Sequence, residues 1–283
     1  MSQQTTSTIA TQPRAEIQAI IDECLPLLKA MGKGRVAVTI GGSHGKRTFD
    51  ARSDLDFRVF CDEIAGGPMY WETEDWKTFC GIVDRRRAQG IEIDYCWVRS
   101  IGEIDAQLDD WLGGKIAPVP RVWTLWGYHV LTDIANQMVI DDPTGIITAW
   151  QARLKPYPQV LKQAILRKHM ESLNYWRADY HYRSKVERGD VVFLAGLSAR
   201  LIHDMMQVLF AVNETYYVGD GNNLHYVEAF AIQPNAFAER VNAILCPGQA
   251  ENAQAALTAQ YQAILNLIDD VAVLAAQRVA AAT

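Results

Sequence analysis

Val36-Ala37-Val38-Thr39-Ile40-Gly41-Gly42-Ser43 is followed, ten residues later, by Asp54-Leu55-Asp56-Phe57-Arg58-Val59-Phe60. The apolar run stops abruptly at the two glycines, and Leu55, Phe57, Val59 and Phe60 set the aspartates among apolar residues. The pattern reads as a strand over Arg35–Ile40, a tight glycine turn, a short connection and a strand over Leu55–Cys61. Alternate residues of a strand point to one face, so Asp54 and Asp56 project side by side. Two carboxylates held that close repel unless a cation joins them, and aspartate oxygens suit Mg²⁺. A glycine turn lets backbone N–H groups approach a phosphate, and Ser43 adds a hydroxyl donor. Phosphate grip beside a metal-binding pair is what nucleotide phosphoryl chemistry requires.

A third acidic stretch follows in Gly90-Ile91-Glu92-Ile93-Asp94-Tyr95-Cys96-Trp97-Val98. Read as a strand over Ile91–Val98, it places Glu92 and Asp94 on one face and Ile91, Ile93 and Tyr95 on the other. With these three parts in order, residues 35–98 resemble the polymerase-β-like nucleotidyltransferases, whose signature is Gly-Gly/Ser, a spacer of this length and Asp-x-Asp. The helical second half resembles the small-molecule branch, which includes the aminoglycoside and lincosamide nucleotidyltransferases. The resemblance implies that Asp54 and Asp56 hold two Mg²⁺ ions. It implies a third carboxylate, Asp94 with Glu92 as its substitute, acting as metal ligand or as base on the acceptor hydroxyl. ATP or another nucleoside triphosphate would be the co-substrate, and a small hydroxylated molecule the acceptor. A protein acceptor, as in antitoxin-type adenylylating enzymes, and an inactive nucleotide-binding module are the alternatives.

Around the turn, Gly41, Gly42 and Ser43 do not form a Walker A loop, because Gly45-Lys46-Arg47 has the wrong spacing and no Ser or Thr after the lysine. His44, Lys46 and Arg47 read equally as triphosphate contacts or as solvated loop residues, and so do Arg52 and Ser53. Arg58 lies on the aspartates' face of its strand as a partner for them.

The formal net charge is −6 and no long basic tract occurs, which speaks against duplex nucleic acid as a partner. Five scattered cysteines without a Cys-x-x-Cys pair suggest reduced thiols and a cytoplasmic protein. No apolar signal segment or membrane-length run is read, so no membrane is expected.

Residues 1–12 are polar and expected to be disordered. An amphipathic helix is expected over Pro13–Met31, stopped by Gly32 and Gly34, and another over Trp71–Ala88. Val122–Leu131 and Met138–Ile140 are ambiguous. Beyond residue 146 every segment reads as helical: Ile146–Lys155, Gln159–Glu187, Val191–Asn213, Asn235–Leu245 and Ala250–Ala281. The fold class is therefore α+β, with a nucleotidyltransferase domain over 13–145 and an α-helical domain over 146–283, and a cleft between them is a usual place for ligands. Lys168, Tyr175, Arg177 and Arg183 stand in a basic and aromatic cluster of that helical half. By resemblance they are the candidates to hold the nucleotide; a solvated face is the plain alternative. His203 and Asp204 sit among Leu201, Ile202, Met205 and Met206, where a buried, hydrogen-bonded histidine is expected rather than a catalyst. Phe210–Asn213 and Tyr216–Gly219 read as a helix end and its cap.

Overall fold

The computed structural model describes residues 15–50, 53–121, 124–219, 221, 223–246 and 252–280. The expected disordered segment 1–12, the first residues of the helix expected from Pro13, Arg52 and Val122 lie outside them. The architecture is α+β: a small mixed sheet near the N-terminus is followed by a helical region. The elements in order are α1 (Ala15–Ala30), β1 (Gly32–Ile40), α2 (Gly42–Lys46), β2 (Leu55–Ile64), α3 (Glu74–Arg87), β3 (Ile93–Ser100), α4 (Ile101–Leu112), β4 (Val119–Arg121), β5 (Thr124–Tyr128), α5 (Val130–Asn136) and β6 (Met138–Asp141). They continue with α6 (Ile146–Arg153), α7 (Gln159–Ala178), α8 (Tyr180–Glu187), α9 (Val191–Val212), α10 (Asn223–Glu228), α11 (Phe237–Leu245) and α12 (Ala253–Ala280).

The main sheet has the order β3-β2-β1-β6. β1 runs antiparallel to β2 and β6, while β2 and β3 are parallel. Leu55, Phe57, Val59 and Cys61 of β2 and Val38 and Ile40 of β1 face a core shared with Ile20, Ile21, Cys24 and Leu28 of α1 and Phe79, Ile82 and Val83 of α3. Each fully buried Phe or Leu there contributes roughly 1.5–3 kcal/mol. By the alternation of a strand, Asp56, Arg58 and Phe60 emerge on the opposite face. There Phe60 meets Trp150 of α6 edge to face, with ring centroids 5.2 Å apart.

Several expected boundaries move. α1 ends at Ala30, just before the glycines expected to stop it, but β1 already opens at Gly32 instead of Arg35, with a register shift between Lys33 and Val36. Gly34 takes φ 75. Arg35 pairs with Asp62 of β2 at 2.7 Å, which holds this irregular start. The expected helix over Trp71–Ala88 starts later, at Glu74, because Thr73 accepts the N–H of Trp76 as its cap; a 3₁₀ turn, Gly67–Glu72, precedes it. The third strand also starts two residues late, and Glu92 stands outside it. The ambiguous Met138–Ile140 is the edge strand β6. Short partners and few residues left it without a periodic signal.

By its internal contacts the chain divides into two units, 1–108 with 133–155, and 109–132 with 156–283. This runs differently from a single boundary at 145: α6 belongs to the first unit and residues 109–132 to the second. The second unit is built on α7, α9 and α12, with Leu161, Leu173, Leu201, Leu209, Ile264 and Ile268 buried. The helix expected over Gln159–Glu187 breaks at Asp179, whose side chain caps α8. Among the described residues α9 alone is long and apolar enough to cross a membrane, and most of it is buried inside the protein. Its buried face includes His203, Asp204 and Gln207.

Candidate functional site

The end of β1 and the start of β2 are held together by the backbone: the Gly41 N–H donates to the Asp56 carbonyl at 2.9 Å. The chain then turns directly into α2, a single helical turn where a loop was expected. Gly42 adopts φ 57, and a Cβ on it would lie 1.7 Å from Asp56 Oδ2. A Cβ on Gly41 would lie 2.7 Å from Asp133 Oδ1. Both glycines are therefore required by close approach of a carboxylate, and Gly42 also by its backbone conformation. Among the described residues the buried Ser43 hydroxyl has no hydrogen-bond partner. A buried unsatisfied hydroxyl is costly, roughly 1–3 kcal/mol, and so points to something that completes it.

Asp54 stands just before β2 and is exposed, whereas the Asp56 side chain is only 14 % exposed. Asp56 and Asp94 are register partners in the parallel pair β2–β3. A bulge follows at once, so that Arg58 pairs with Trp97, and the Arg58 guanidinium lies 5.3 Å from the Trp97 ring centre. Arg58 Nη2 donates to Asp56 Oδ1 at 3.4 Å, Nε to Asp133 Oδ2 at 3.3 Å, and Nη1 to the Phe57 carbonyl at 3.2 Å. Burial pushes the Asp56 carboxyl up to about 6; Arg58 pulls against this, while Asp54, Asp133 and Asp94 add to it. Three further carboxylates thus bear on Asp56, opposed by the Arg58 guanidinium. That is an environment in which a further cation is favoured.

The arrangement is a gathering of hard oxygen donors, and it fits Mg²⁺ by chemistry. It is not a closed cage: among the described residues no three His, Cys, Asp or Glu side chains converge as a metal site. Asp94 Oδ1 instead accepts the N–H of Tyr95 at 2.9 Å, and Asp56 Oδ1 meets Arg58. Mutual repulsion of the carboxylates accounts for such spreading. Glu92 does not join Asp94; it turns to Arg87 at the end of α3, 3.1 Å away. Of the two acids of this stretch, Asp94 is the one in register with Asp56.

The cations and polar residues of the following loop are less uniform. His44 is buried and stacked on Phe49 at 4.4 Å, and burial lowers its pKa. Lys46 ends α2, and the exposed Arg47 caps it in a left-handed conformation, φ 60. Ser53 is engaged with Asp50, whose N–H it accepts at 2.9 Å.

The four candidates of the helical half lie in the second unit. Lys168 Nζ donates to the Ile116 carbonyl at 3.3 Å, and Arg177 pairs with Asp269 at 2.6 Å. Tyr175 and Arg183 are exposed, on α7 and α8. The same unit buries a different polar cluster. His169 Nδ1 meets Asp204 Oδ1 at 2.6 Å, Ser172 donates to Asp204 Oδ2 at 2.7 Å, and His203 stacks on Trp126. Asn213 ends α9 as expected; its amide donates to the carbonyls of Leu209 and Ile232.

Sequence reading missed Asp133. It lies 75 residues beyond Arg58, on a helix too short to show a period. The one available signal was an acid inside the apolar run Val130-Leu131-Thr132-Asp133-Ile134.

No curated protein matches the chain. A family profile described as a domain of unknown function, DUF4037, matches residues 123–220, about a third of the chain, a stretch that includes Asp133 but neither Asp54, Asp56 nor Asp94. That family is associated with nucleotidyltransferase-like proteins in general.

Proposed function

We propose that this chain is a Mg²⁺-dependent nucleotidyltransferase that moves a nucleoside monophosphate, AMP from ATP in the first instance, onto a hydroxyl of a small molecule. The observation that carries the reading is the fit of Gly42 against Asp56. The glycine turn and the second aspartate are one site, with the unpartnered Ser43 hydroxyl beside them. Asp54 and Asp56 would hold the metal, with Asp94 beside them. Bound there, Mg²⁺ supplies the positive charge that a triphosphate and a departing pyrophosphate need. Ser43 donates its hydroxyl to a phosphate oxygen, and the two glycines let the turn close against the carboxylates of Asp56 and Asp133. Asp94 takes the proton of the acceptor hydroxyl as its oxygen bonds to the α-phosphorus and the α–β bridging P–O bond breaks. The acceptor's place in the small-molecule branch, an antibiotic among the possibilities, follows from the resemblance. The five unpaired cysteines support a reducing, cytoplasmic setting.

The test is a pyrophosphate-release screen: each of the four nucleoside triphosphates with Mg²⁺, against a panel of hydroxylated metabolites and antibiotics. Release that requires both Mg²⁺ and one acceptor class supports the reading. Label transferred to a protein and to no small molecule would move the acceptor to the antitoxin-type alternative.

A further inference from the structure

Asp56 offers its two oxygens to different surroundings. Oδ1 faces Arg58 Nη2 at 3.4 Å, while Oδ2 is pressed against the α-carbon of Gly42, beside Ser43. What fixes this difference is the orientation of Arg58, and Arg58 is held from three sides: by the Phe57 carbonyl, by the face of Trp97 and by Asp133. Asp133 is contributed by α5, far along the chain, and is itself 9 % exposed. Its other oxygen, Oδ1, rests against Gly41. One carboxylate therefore touches both the guanidinium behind Asp56 and the turn in front of it.

Charge makes the same point. A buried guanidinium beside a candidate metal ligand is a built-in competitor for any divalent cation, since both are drawn to the same carboxylate. Asp133 gives Arg58 a second anion at a similar distance, 3.3 Å against 3.4 Å. Arg58 is then shared between two carboxylates and commits wholly to neither.

We propose that Asp133 is a positioning residue of the metal site: through Arg58 it turns Asp56 so that Oδ2 is presented at the glycine turn, and it keeps Arg58 from occupying Asp56 in place of Mg²⁺. The inference rests on the nucleotidyltransferase reading. It assigns Asp133 no contact with substrate.

The experiment is a Mg²⁺ titration of the full chain, read as the rise in melting temperature with a non-hydrolysable nucleoside triphosphate present. Asp133→Asn raises the Mg²⁺ midpoint about tenfold, the factor that about 1.4 kcal/mol represents. In the Arg58→Gln background the same substitution changes the midpoint little, because the competitor is gone. Asp133→Glu, which keeps the charge but moves it, raises the midpoint as well. An equal increase for Asp133→Asn with and without Arg58, or a wild-type midpoint in Asp133→Glu, would show that Asp133 acts only through its field and would overturn the proposal. So would an unchanged midpoint in Asp133→Asn. If the wild-type protein itself shows no Mg²⁺-dependent rise, the functional reading fails, and this one with it.

Discussion

At the scale of single residues, the site holds charge against its own stability. Burial and its acidic neighbours raise the Asp56 carboxyl from an ordinary value near 3.8 to about 6. A carboxyl raised on folding stabilises the fold while protonated, and that contribution is lost as pH climbs through the raised value. At pH 7 the charged group costs the metal-free protein on the order of 3 kcal/mol. Asp56→Asn should therefore abolish turnover yet raise the melting temperature of the metal-free protein by roughly 6–12 °C; a fall on differential scanning would contradict this. Asp94→Asn should cut kcat far more than Glu92→Gln, because Glu92 is occupied by Arg87. Steady-state kinetics of the two variants decides it, and a dead Glu92→Gln would reverse the assignment. Gly41, Gly42, Ser43, Asp54 and Asp56 were legible because spacing and strand alternation are local properties of sequence. Asp133 was not, since only the fold brings it to Arg58.

Elements differ in how plainly the sequence announces them. The long helices α9 and α12 carry an apolar stripe and were legible to within a few residues, as was the start of α7. β3 was displaced because its bulge breaks the alternation between Asp94 and Trp97, and β6 is four residues long and leaves no period to read. The break between α7 and α8 hides in a continuous helical pattern, since Asp179 is a cap only once the chain turns there. Within the second unit, burial lowers His129 to about 3 and His203 to about 4, from an ordinary 6.5. The unfolded chain takes up both protons below pH 6.5 and the folded one does not. Stability from this source is full above pH 6.5 and falls as pH drops toward 4, by about 1.4 kcal/mol per pH unit for each histidine. His129→Phe should make the decline in melting temperature between pH 6.5 and pH 4.5 shallower. An unaltered slope would mean that His129 is not the buried neutral group described.

For the whole molecule, the α+β class was legible from the change in periodicity near residue 146, but the interleaving of the two units was not, because contacts between distant segments leave no local trace. α6 lies past that apparent boundary and yet seals the first unit: Trp150 is buried, packs on Phe60, and donates Nε1–H to Asp105 at 2.7 Å. Losing one such side chain costs about 3–5 kcal/mol. A fragment 1–155 should accordingly be more stable in urea than 1–145, and equal midpoints would contradict the division. The central claim is that the glycine turn and the aspartates bind a nucleotide through Mg²⁺. Isothermal titration of a non-hydrolysable nucleoside triphosphate into the full chain, with and without Mg²⁺, tests it most directly. The account predicts binding that requires Mg²⁺ in the wild-type protein and is lost in Asp56→Asn. Binding of equal strength with and without the metal, unaffected by Asp56→Asn, or no binding of any of the four nucleotides, would contradict it.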